Sequence, residues 1–160
     1  MIYDKAKWHW GAKNAPKDIP QVNGGTHIAF FLRWCIEKGF SSKQLKKDFP
    51  DEIDAIEMKN NNIDCRKFFV MDMDGVLSSE ELNTKGNQFA KAYYHTDKTK
   101  FAKQYRFYLE DYDIFVNDLF GKETFDNAYF YVENTEEIYQ KVKFIIDKRY
   151  QEFLDMKNIK

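Results

Sequence analysis

Apolar residues recur along much of the chain at the spacing of an amphipathic helix, in which every third or fourth side chain lies on one face. The clearest stripe consists of Ile28, Phe31, Leu32, Cys35 and Ile36. Thr26 precedes this stripe as a candidate N-cap, and Gly39 follows it where a helix commonly ends. Because Phe30 and Trp34 widen the apolar face, this segment is predicted to be a central helix.

Other segments show the same period and carry the residues typical of helix ends. Further helices are predicted to begin near residues 48, 84, 97, 113 and 134. Pro50 and the acidic residues after it suit a helix N-terminus, and Asn134 with Glu137 has the spacing of a capping box. A helix capped by Asp97 is predicted to carry Tyr108 on its buried stripe.

Two short apolar runs are ambiguous. Residues 68–71 (FFVM) suit a buried strand or a helix end, and residues 129–132 (YFYV) have strand composition without a clear partner strand. Residues 1–25 show no period, so we expect an irregular N-terminal arm. The chain, residues 1–160, is therefore predicted to be one mainly α domain. We expect about six helices in a body of residues 26–156, with at most a minor β element.

Composition excludes several classes of protein. The 160 residues carry 25 basic and 26 acidic side chains, and a net charge of −1 argues against nucleic-acid binding by bulk charge. No apolar run approaches the roughly 18 residues of a membrane span, and the N-terminus lacks the apolar segment of a signal peptide. The two cysteines lack metal-ligand spacing and are expected to be buried free thiols. We therefore expect a cytoplasmic protein with no membrane partner.

Charge is segregated along the chain. Residues 51–82 carry nine acidic and three basic side chains, and residues 109–137 carry nine acidic and one basic. Such blocks either neutralise one another in the fold or leave faces of a single sign that attract a basic partner. The second interpretation selects as partner-binding candidates Asp51, Glu52, Asp54, Glu57, Glu110, Asp111, Asp113 and Asp118.

Residues 68–77, FFVMDMDGVL, resemble the first motif of the haloacid-dehalogenase superfamily of phosphatases, in which an apolar strand precedes DxDG. The resemblance implies that Asp72 is the nucleophile, that Asp74 is the general acid–base and that both help to hold Mg²⁺. The later motifs of that superfamily have no clear counterpart, and the segments that follow have helical patterns. We therefore favour the interpretation that both aspartates end a helix or bind backbone donors in a turn at Gly75.

No metal or cofactor site is predicted. With Gly75 at the sixth position of a calcium-binding loop, several oxygen-bearing residues fall in place, but Val70 stands at the first position, where an Asp ligand is needed. The three histidines, His9, His27 and His95, are scattered along the chain. His27 falls in the first turn of the predicted central helix, where a structural hydrogen bond is the favoured interpretation.

The aromatic content leaves a ligand pocket as an alternative. The chain contains 15 Phe, 10 Tyr and 3 Trp, and most rings on a helical face are expected to be core. If some of them instead line a pocket of a small-ligand-binding regulatory domain, the candidates are Trp8, Trp10, His27, Trp34 and Tyr93.

Three stretches carry a resemblance that spans most of the chain: YDKAKWHW at 3–10, GGTHIAFFLRWCIEKG at 24–39 and DGVLSSEELNTKGNQFAKAYY at 74–94. In the same order, they resemble an uncharacterised family of small bacterial domains of unknown function. The resemblance implies that the Asp-Gly pair at 74–75 lies between helical segments. It implies no catalytic residues.

Small single-domain bacterial proteins of this kind resemble immunity proteins, which block a cognate toxin by binding it. We therefore predict a non-enzymatic protein that neutralises a bacterial toxin through an acidic and aromatic face. A basic toxin such as a nuclease is the expected partner, because its substrate is anionic. The alternatives are a Mg²⁺-dependent phosphatase that uses Asp72 and a regulatory domain that binds a small ligand.

Overall fold

The computed structural model describes residues 1–60, 62–121 and 127–158. In chain order the elements are β1 (Ile2–Lys5), α1 (Ala6–Trp10), a 3₁₀ turn (Gln21–Gly25), α2 (Thr26–Glu37), α3 (Lys43–Asp48), α4 (Pro50–Glu57), α5 (Cys65–Lys67), a π-helical turn (Phe68–Asp72), β2 (Val76–Ser78), α6 (Thr84–Tyr93), α7 (Lys100–Gln104), α8 (Tyr108–Phe120), a second 3₁₀ turn (Ala128–Tyr131) and α9 (Glu136–Asn158). The mainly α class is confirmed, and within these ranges two short strands form a minor sheet. None of the described helices is both long and apolar enough to cross a bilayer.

Helix α2 lies at the centre of the core. Ten of its 12 residues are buried, including the whole apolar stripe. It packs against α4, α5 and α9. The ring of Phe31 also meets the ring of Tyr94, directly after α6, and the ring of Tyr108 on α8, with centroid distances of 4.9 Å and 5.2 Å. Because each buried aromatic side chain removes about 150–250 Å² from water, these ring contacts are a major stabilising term.

Several helices begin at side-chain caps that hydrophobic periodicity does not reveal. Ser42, Asn83 and Thr99 each accept a hydrogen bond from a backbone N–H three residues ahead, and they precede α3, α6 and α7. Such caps satisfy donors that a helix leaves free at its start. The prediction of Thr26 as a cap was wrong, because this residue lies inside the first turn of α2, after Gly25.

Two other predicted helix starts are displaced. The single helix predicted to be capped by Asp97 is instead two helices, α7 after Thr99 and α8 from Tyr108. Helix α8 continues without a break past residue 113, where a separate helix was predicted to begin. At α9, the hydroxyl of Thr135 rather than the side chain of Asn134 accepts a backbone N–H of the first turn.

The N-terminal arm contains more regular structure than predicted. Strand β1 pairs antiparallel with β2, with Asp4 opposite Leu77, and the backbone N–H of Ala6 donates to the carbonyl of Gly75 at 2.9 Å. Helix α1 follows directly. The expected irregularity therefore holds only between α1 and the first 3₁₀ turn. The pairing joins segments that are distant in sequence, so no local pattern could show it.

Both ambiguous apolar runs are helical. Asp64 caps α5 by accepting the backbone N–H of Lys67, and the helix continues as the π-helical turn that contains the whole FFVM run. Asp74 and Gly75 then adopt positive φ angles of 57° and 65°, which turn the chain into β2. Most of the second run lies in the 3₁₀ turn Ala128–Tyr131, and Val132 follows it with an extended backbone.

A polar contact joins α2 to α9. The indole Nε1 of Trp34 donates to Asp147 at 2.8 Å, and the ammonium of Lys143 donates to the other carboxylate oxygen at 2.6 Å. Burial raises the pKa of Asp147, but the hydrogen bonds from Lys143 and Trp34 outweigh burial and leave the pKa below its usual value.

Candidate functional site

A cluster of polar side chains lies inside the fold where β1, α1 and α2 meet. His9 Nε2 is 2.8 Å from Asp4 Oδ1, His27 Nε2 is 3.3 Å from Asp4 Oδ2, and the two Nε2 atoms are 3.2 Å apart. The hydroxyl of Tyr94 donates to Asp4 Oδ2 at 2.6 Å. We call Asp4, His9 and His27 the His–Asp cluster. Within the described ranges, this is the group of His, Cys, Asp and Glu side chains whose donor atoms converge as metal ligands do.

Close backbone packing positions the cluster. Gly24 and Gly25 end the 3₁₀ turn just before His27, where the chain passes against α1. A Cβ on Gly24 would lie 3.1 Å from the backbone nitrogen of Trp10, and a Cβ on Gly25 would lie 3.2 Å from Ala6 Cβ. The two glycines therefore let α1 and α2 approach closely enough for their histidines to meet.

Electrostatics keep Asp4 ionised. Burial raises the pKa of Asp4, but the hydrogen bonds and charges of His27 and His9 outweigh burial and leave the pKa well below its ordinary range. The pKa of His27 is lowered, first because the ring is fully buried. The cluster therefore holds a buried carboxylate beside a fully buried imidazole whose charged form is disfavoured by burial and favoured by Asp4.

A small cavity adjoins the His–Asp cluster. It has a volume of about 160 Å³, and its lining residues are His9, His27, Leu109, Tyr112, Asp113 and Tyr129. Two buried polar atoms of these residues, Nδ1 of His27 and the hydroxyl of Tyr112, have no hydrogen-bond partner among the residues that the structure describes. Buried polar atoms in native proteins are normally paired, so these two are available to a ligand.

The five residues proposed for a ligand pocket do not come together. Trp8 is 55% exposed, whereas Trp34 and Tyr93 are core residues. The Trp34 indole bonds to Asp147, and the Tyr93 hydroxyl bonds to Asp111. Trp10 is half-buried against the core, and of the five only His27 lines the 160 Å³ cavity.

The acidic candidates divide between two helices. On α4, Asp51 and Asp54 are exposed and Glu52 is half-buried, while Glu57 lies 3.3 Å from the ammonium of Lys46. On α8 the exposed candidates are Glu110, Asp113 and Asp118.

Asp111 departs from its predicted role. It is 5% exposed, and the guanidinium of Arg149 donates to both of its carboxylate oxygens, at 2.8 and 3.0 Å. This carboxylate lies at the floor of the groove between α8 and α9, where Arg149 already neutralises its charge inside the protein. The prediction of a surface role for Asp111 is corrected by its place between α8 and α9.

Apolar side chains are exposed beside the acidic ones on α8. Ile114 and Leu119 are each more than a third exposed, and Phe144 on α9 is 75% exposed. Ile114, Phe144 and Asp118 line the same groove between the two helices, which has a volume of about 250 Å³. The basic side chains of Arg106, Lys148 and Arg149 line it as well. We call the side chains of Glu110, Asp113, Ile114, Asp118 and Phe144 the α8–α9 face.

The DMDG segment does not have the setting that phosphatase chemistry needs. Asp72 and Asp74 are both exposed at the end of the π-helical turn, and Gly75 turns the chain into an antiparallel strand. The described residues contain no parallel sheet from whose edge a nucleophilic Asp72 could act. This arrangement agrees with the interpretation that the two aspartates lie at a helix end.

The sequence reasoning treated the histidines separately and missed the His–Asp cluster. Asp4 and His9 lie in the N-terminal segment that shows no hydrophobic period. For His27, the sequence indicated only a position in the first turn of the central helix. The available signal was that both histidines and the acid lie in two of the stretches quoted for the family resemblance, YDKAKWHW and GGTHIAFFLRWCIEKG.

A family model described as a domain of unknown function (DUF7832) matches residues 2–129, which include the whole His–Asp cluster and α8. Neither the curated proteins nor the solved structures contain a match to the chain.

Proposed function

This chain belongs to the DUF7832 family of domains of unknown function. We propose that it binds a basic protein partner through the α8–α9 face. Its mode of action would be that of a toxin-immunity protein, which neutralises a cognate bacterial toxin by direct contact. The observation that carries the proposal is the exposure of Phe144, which is 75% accessible on the surface of an otherwise well-packed helix pair.

The apolar part of the α8–α9 face suits an interface core. Phe144 and Ile114 share one groove, so a single partner side chain can cover both. Covering a fully exposed side chain of this kind contributes about 1.5–3 kcal/mol. Interfaces commonly concentrate their binding energy in such a few apolar anchors surrounded by polar residues.

Charge favours a basic partner. Helix α8 carries Glu110, Asp113 and Asp118 on its exposed side and has no basic residue. Among the described residues, the ion pair of Glu110 is a long one, 3.7 Å from the guanidinium of Arg106. Burial, with the charge of Glu110 adding to it, raises the pKa of Asp113, as expected where carboxylates are crowded. A cationic surface would relieve this repulsion and would associate faster.

A basic toxin, such as a nuclease, fits this chemistry because a protein that acts on an anionic substrate presents a cationic surface. The proposal needs no catalytic group on this chain. The acidic residues of α4 are not part of it, which makes them suitable for control variants.

The test is direct binding of the purified protein to the purified product of the gene next to its own. We expect a one-to-one complex by calorimetry and protection of cells that express the toxin. Phe144→Ser should weaken binding at least tenfold, and Asp113→Asn with Asp118→Asn should slow association. The matched control, Asp51→Asn with Asp54→Asn on α4, should leave both quantities unchanged.

The proposal fails if the neighbouring product is basic and does not bind, or if binding is insensitive to Phe144→Ser. Self-association through the same face is the competing outcome. It would appear in sedimentation as a dimer of the wild type that Phe144→Ser converts to a monomer.

A further inference from the structure

We propose that Asp4, His9 and His27 bind one divalent transition-metal ion of the zinc class. This inference does not depend on the partner-binding proposal, because the His–Asp cluster is built from β1, α1 and the first turn of α2 and shares no residue with the α8–α9 face. Asp113 of that face lines the adjoining cavity but is not one of the proposed ligands.

The spacing of the donor atoms matches that of ligands around one ion. The two Nε2 atoms are 3.2 Å apart, His9 Nε2 is 2.8 Å from Oδ1 of Asp4, and His27 Nε2 is 3.3 Å from Oδ2 of the same carboxylate. With metal–ligand distances near 2.0–2.1 Å, neighbouring ligands are about 3.0 Å apart in octahedral and about 3.4 Å apart in tetrahedral geometry. The two imidazole nitrogens are therefore at the spacing of neighbouring ligands, and one carboxylate oxygen of Asp4 completes a set of three donor atoms that all lie within 4.8 Å of one another.

Protons alone do not satisfy all three contacts. Each Nε2 atom faces a carboxylate oxygen of Asp4, which can only accept, so both rings need an Nε2–H directed at it. The two Nε2 atoms, 3.2 Å apart, are then both donors and have no hydrogen bond between them. If either Nε2 atom lacks its proton, its lone pair faces a carboxylate oxygen of Asp4, and two acceptors then repel each other. A cation accepts all three lone pairs at once.

The donor set indicates which metals fit. Imidazole nitrogens suit zinc, iron, nickel and copper, whereas calcium and magnesium prefer sites made of oxygens. Two histidines and one carboxylate are three ligands, which leave one position of a tetrahedral ion free. Both histidines also line the 160 Å³ cavity, so a water or a small ligand in the cavity can take that position and meet the Tyr112 hydroxyl, which has no hydrogen-bond partner among the described residues.

The surroundings of Asp4 hold it in one orientation. Besides the histidines, its oxygens accept hydrogen bonds from the Tyr94 hydroxyl at 2.6 Å and from the backbone N–H of Lys5 at 2.8 Å. Residues that orient a metal ligand in this way typically change metal affinity 10–100-fold when removed. Tyr94 is therefore assigned as a positioning residue of the site. His9 is only part-buried, so an ion can reach the cluster from solvent.

The direct test is titration of untagged, chelator-treated protein with Zn²⁺ by calorimetry, and with Co²⁺ by visible absorption. We expect one ion per chain, a rise in melting temperature with added Zn²⁺, and ligand-field bands for Co²⁺ that excess Zn²⁺ removes. Absence of saturable binding of both ions to the folded wild type overturns the proposal.

Matched variants locate the ion. His9→Ala should lower Zn²⁺ affinity at least tenfold, while His95→Ala, which removes an exposed histidine outside the cluster, should not change it. Asp4→Asn keeps the side-chain shape, removes the charge and should also lower the affinity. Zn²⁺ bound equally well by His9→Ala and Asp4→Asn would place the ion elsewhere and refute the assignment.

The positioning role of Tyr94 has its own control. Tyr94→Phe and Tyr93→Phe each remove one buried hydroxyl that donates to a carboxylate, on Asp4 and Asp111 respectively. Both should cost similar stability, but only Tyr94→Phe should weaken Zn²⁺ binding. Far-UV circular dichroism confirms that each variant is folded before titration, so loss of metal binding is separated from loss of structure.

Discussion

The buried ion pair between α8 and α9 leads to the sharpest prediction about stability. Replacing Arg149 by Met removes a guanidinium that is 10% exposed and leaves the carboxylate of Asp111, 5% exposed, without its bidentate partner. Breaking a buried pair by removing one member typically costs 3–5 kcal/mol, because the remaining charge is desolvated and unpaired.

The surroundings decide where in that range the value falls. Asp111 retains a hydrogen bond from the Tyr93 hydroxyl at 2.7 Å and has a second guanidinium, that of Arg106, at 3.7 Å. Both partly compensate the charge, so we expect a loss of about 3 kcal/mol in the free energy of unfolding. For a chain of this size, that loss corresponds to a fall in melting temperature of roughly 10 °C.

Urea unfolding followed by far-UV circular dichroism measures this loss. Lys141→Met on the exposed side of α9 is the matched control, since the ion pair of Lys141 with Glu137 is long and exposed and its loss should cost less than about 0.5 kcal/mol. In the double variant with Asp111→Asn, the two losses should not add, and the coupling energy should be about 1–3 kcal/mol. A loss below about 1 kcal/mol for Arg149→Met would refute the reasoning.

Three further predictions concern packing, pH and the surface. Gly86→Ala should destabilise the fold by about 1–3 kcal/mol in urea unfolding, because its Cβ would lie 2.9 Å from Phe40 Cβ; an unchanged midpoint would contradict this. Asp147 has a lowered pKa in the fold, so its contribution to stability is complete above its unfolded pKa of about 4 and is lost as the pH falls through the folded value. Asp147→Asn should therefore show a shallower loss of stability in acid than the wild type, and parallel curves would exclude this contribution. Phe144→Ser should leave the free energy of unfolding within about 0.5 kcal/mol, since the ring is 75% exposed; a larger loss would mean that the ring packs in the core.

The fold class follows from the sequence because its signals are local. The stripe that includes Ile28 and Ile36 predicts α2 correctly, and the sparse glycines and prolines favour helices over a turn-rich sandwich. Helix boundaries were less predictable because several residues near each start can act as caps. Thr99, for example, caps α7 although Asp97 has an equally suitable side chain.

The role of Asp111 was readable from the same periodicity. Tyr108, Tyr112 and Phe115 are buried neighbours at helical spacing, so Asp111 lies on the apolar stripe of α8 and not on its outer face. Asp111 was chosen as a surface residue because residues 109–137 are rich in acidic side chains, and such a count does not consider which side of the helix each residue occupies. Its partner, Arg149, lies on another helix, and the pairing depends on how α8 and α9 pack.

The His–Asp cluster could not be derived from local patterns. Its formation depends on the pairing of β1 with β2, which sets Asp4 in place, and on the close approach of α1 and α2 at Gly24 and Gly25. Hydrophobic periodicity carries no information about either contact. Considering Asp4, His9 and His27 as one set, rather than each histidine alone, is the step that sequence reasoning lacked.

The proposed partner surface is tested most directly by hydrogen–deuterium exchange on the complex with the product of the neighbouring gene. Backbone amides in residues 109–119 and 141–148 should exchange more slowly on binding, while those of α4 should be unchanged. Protection confined to α4 or to the N-terminal segment, or exchange that the partner leaves unaltered throughout, would contradict it.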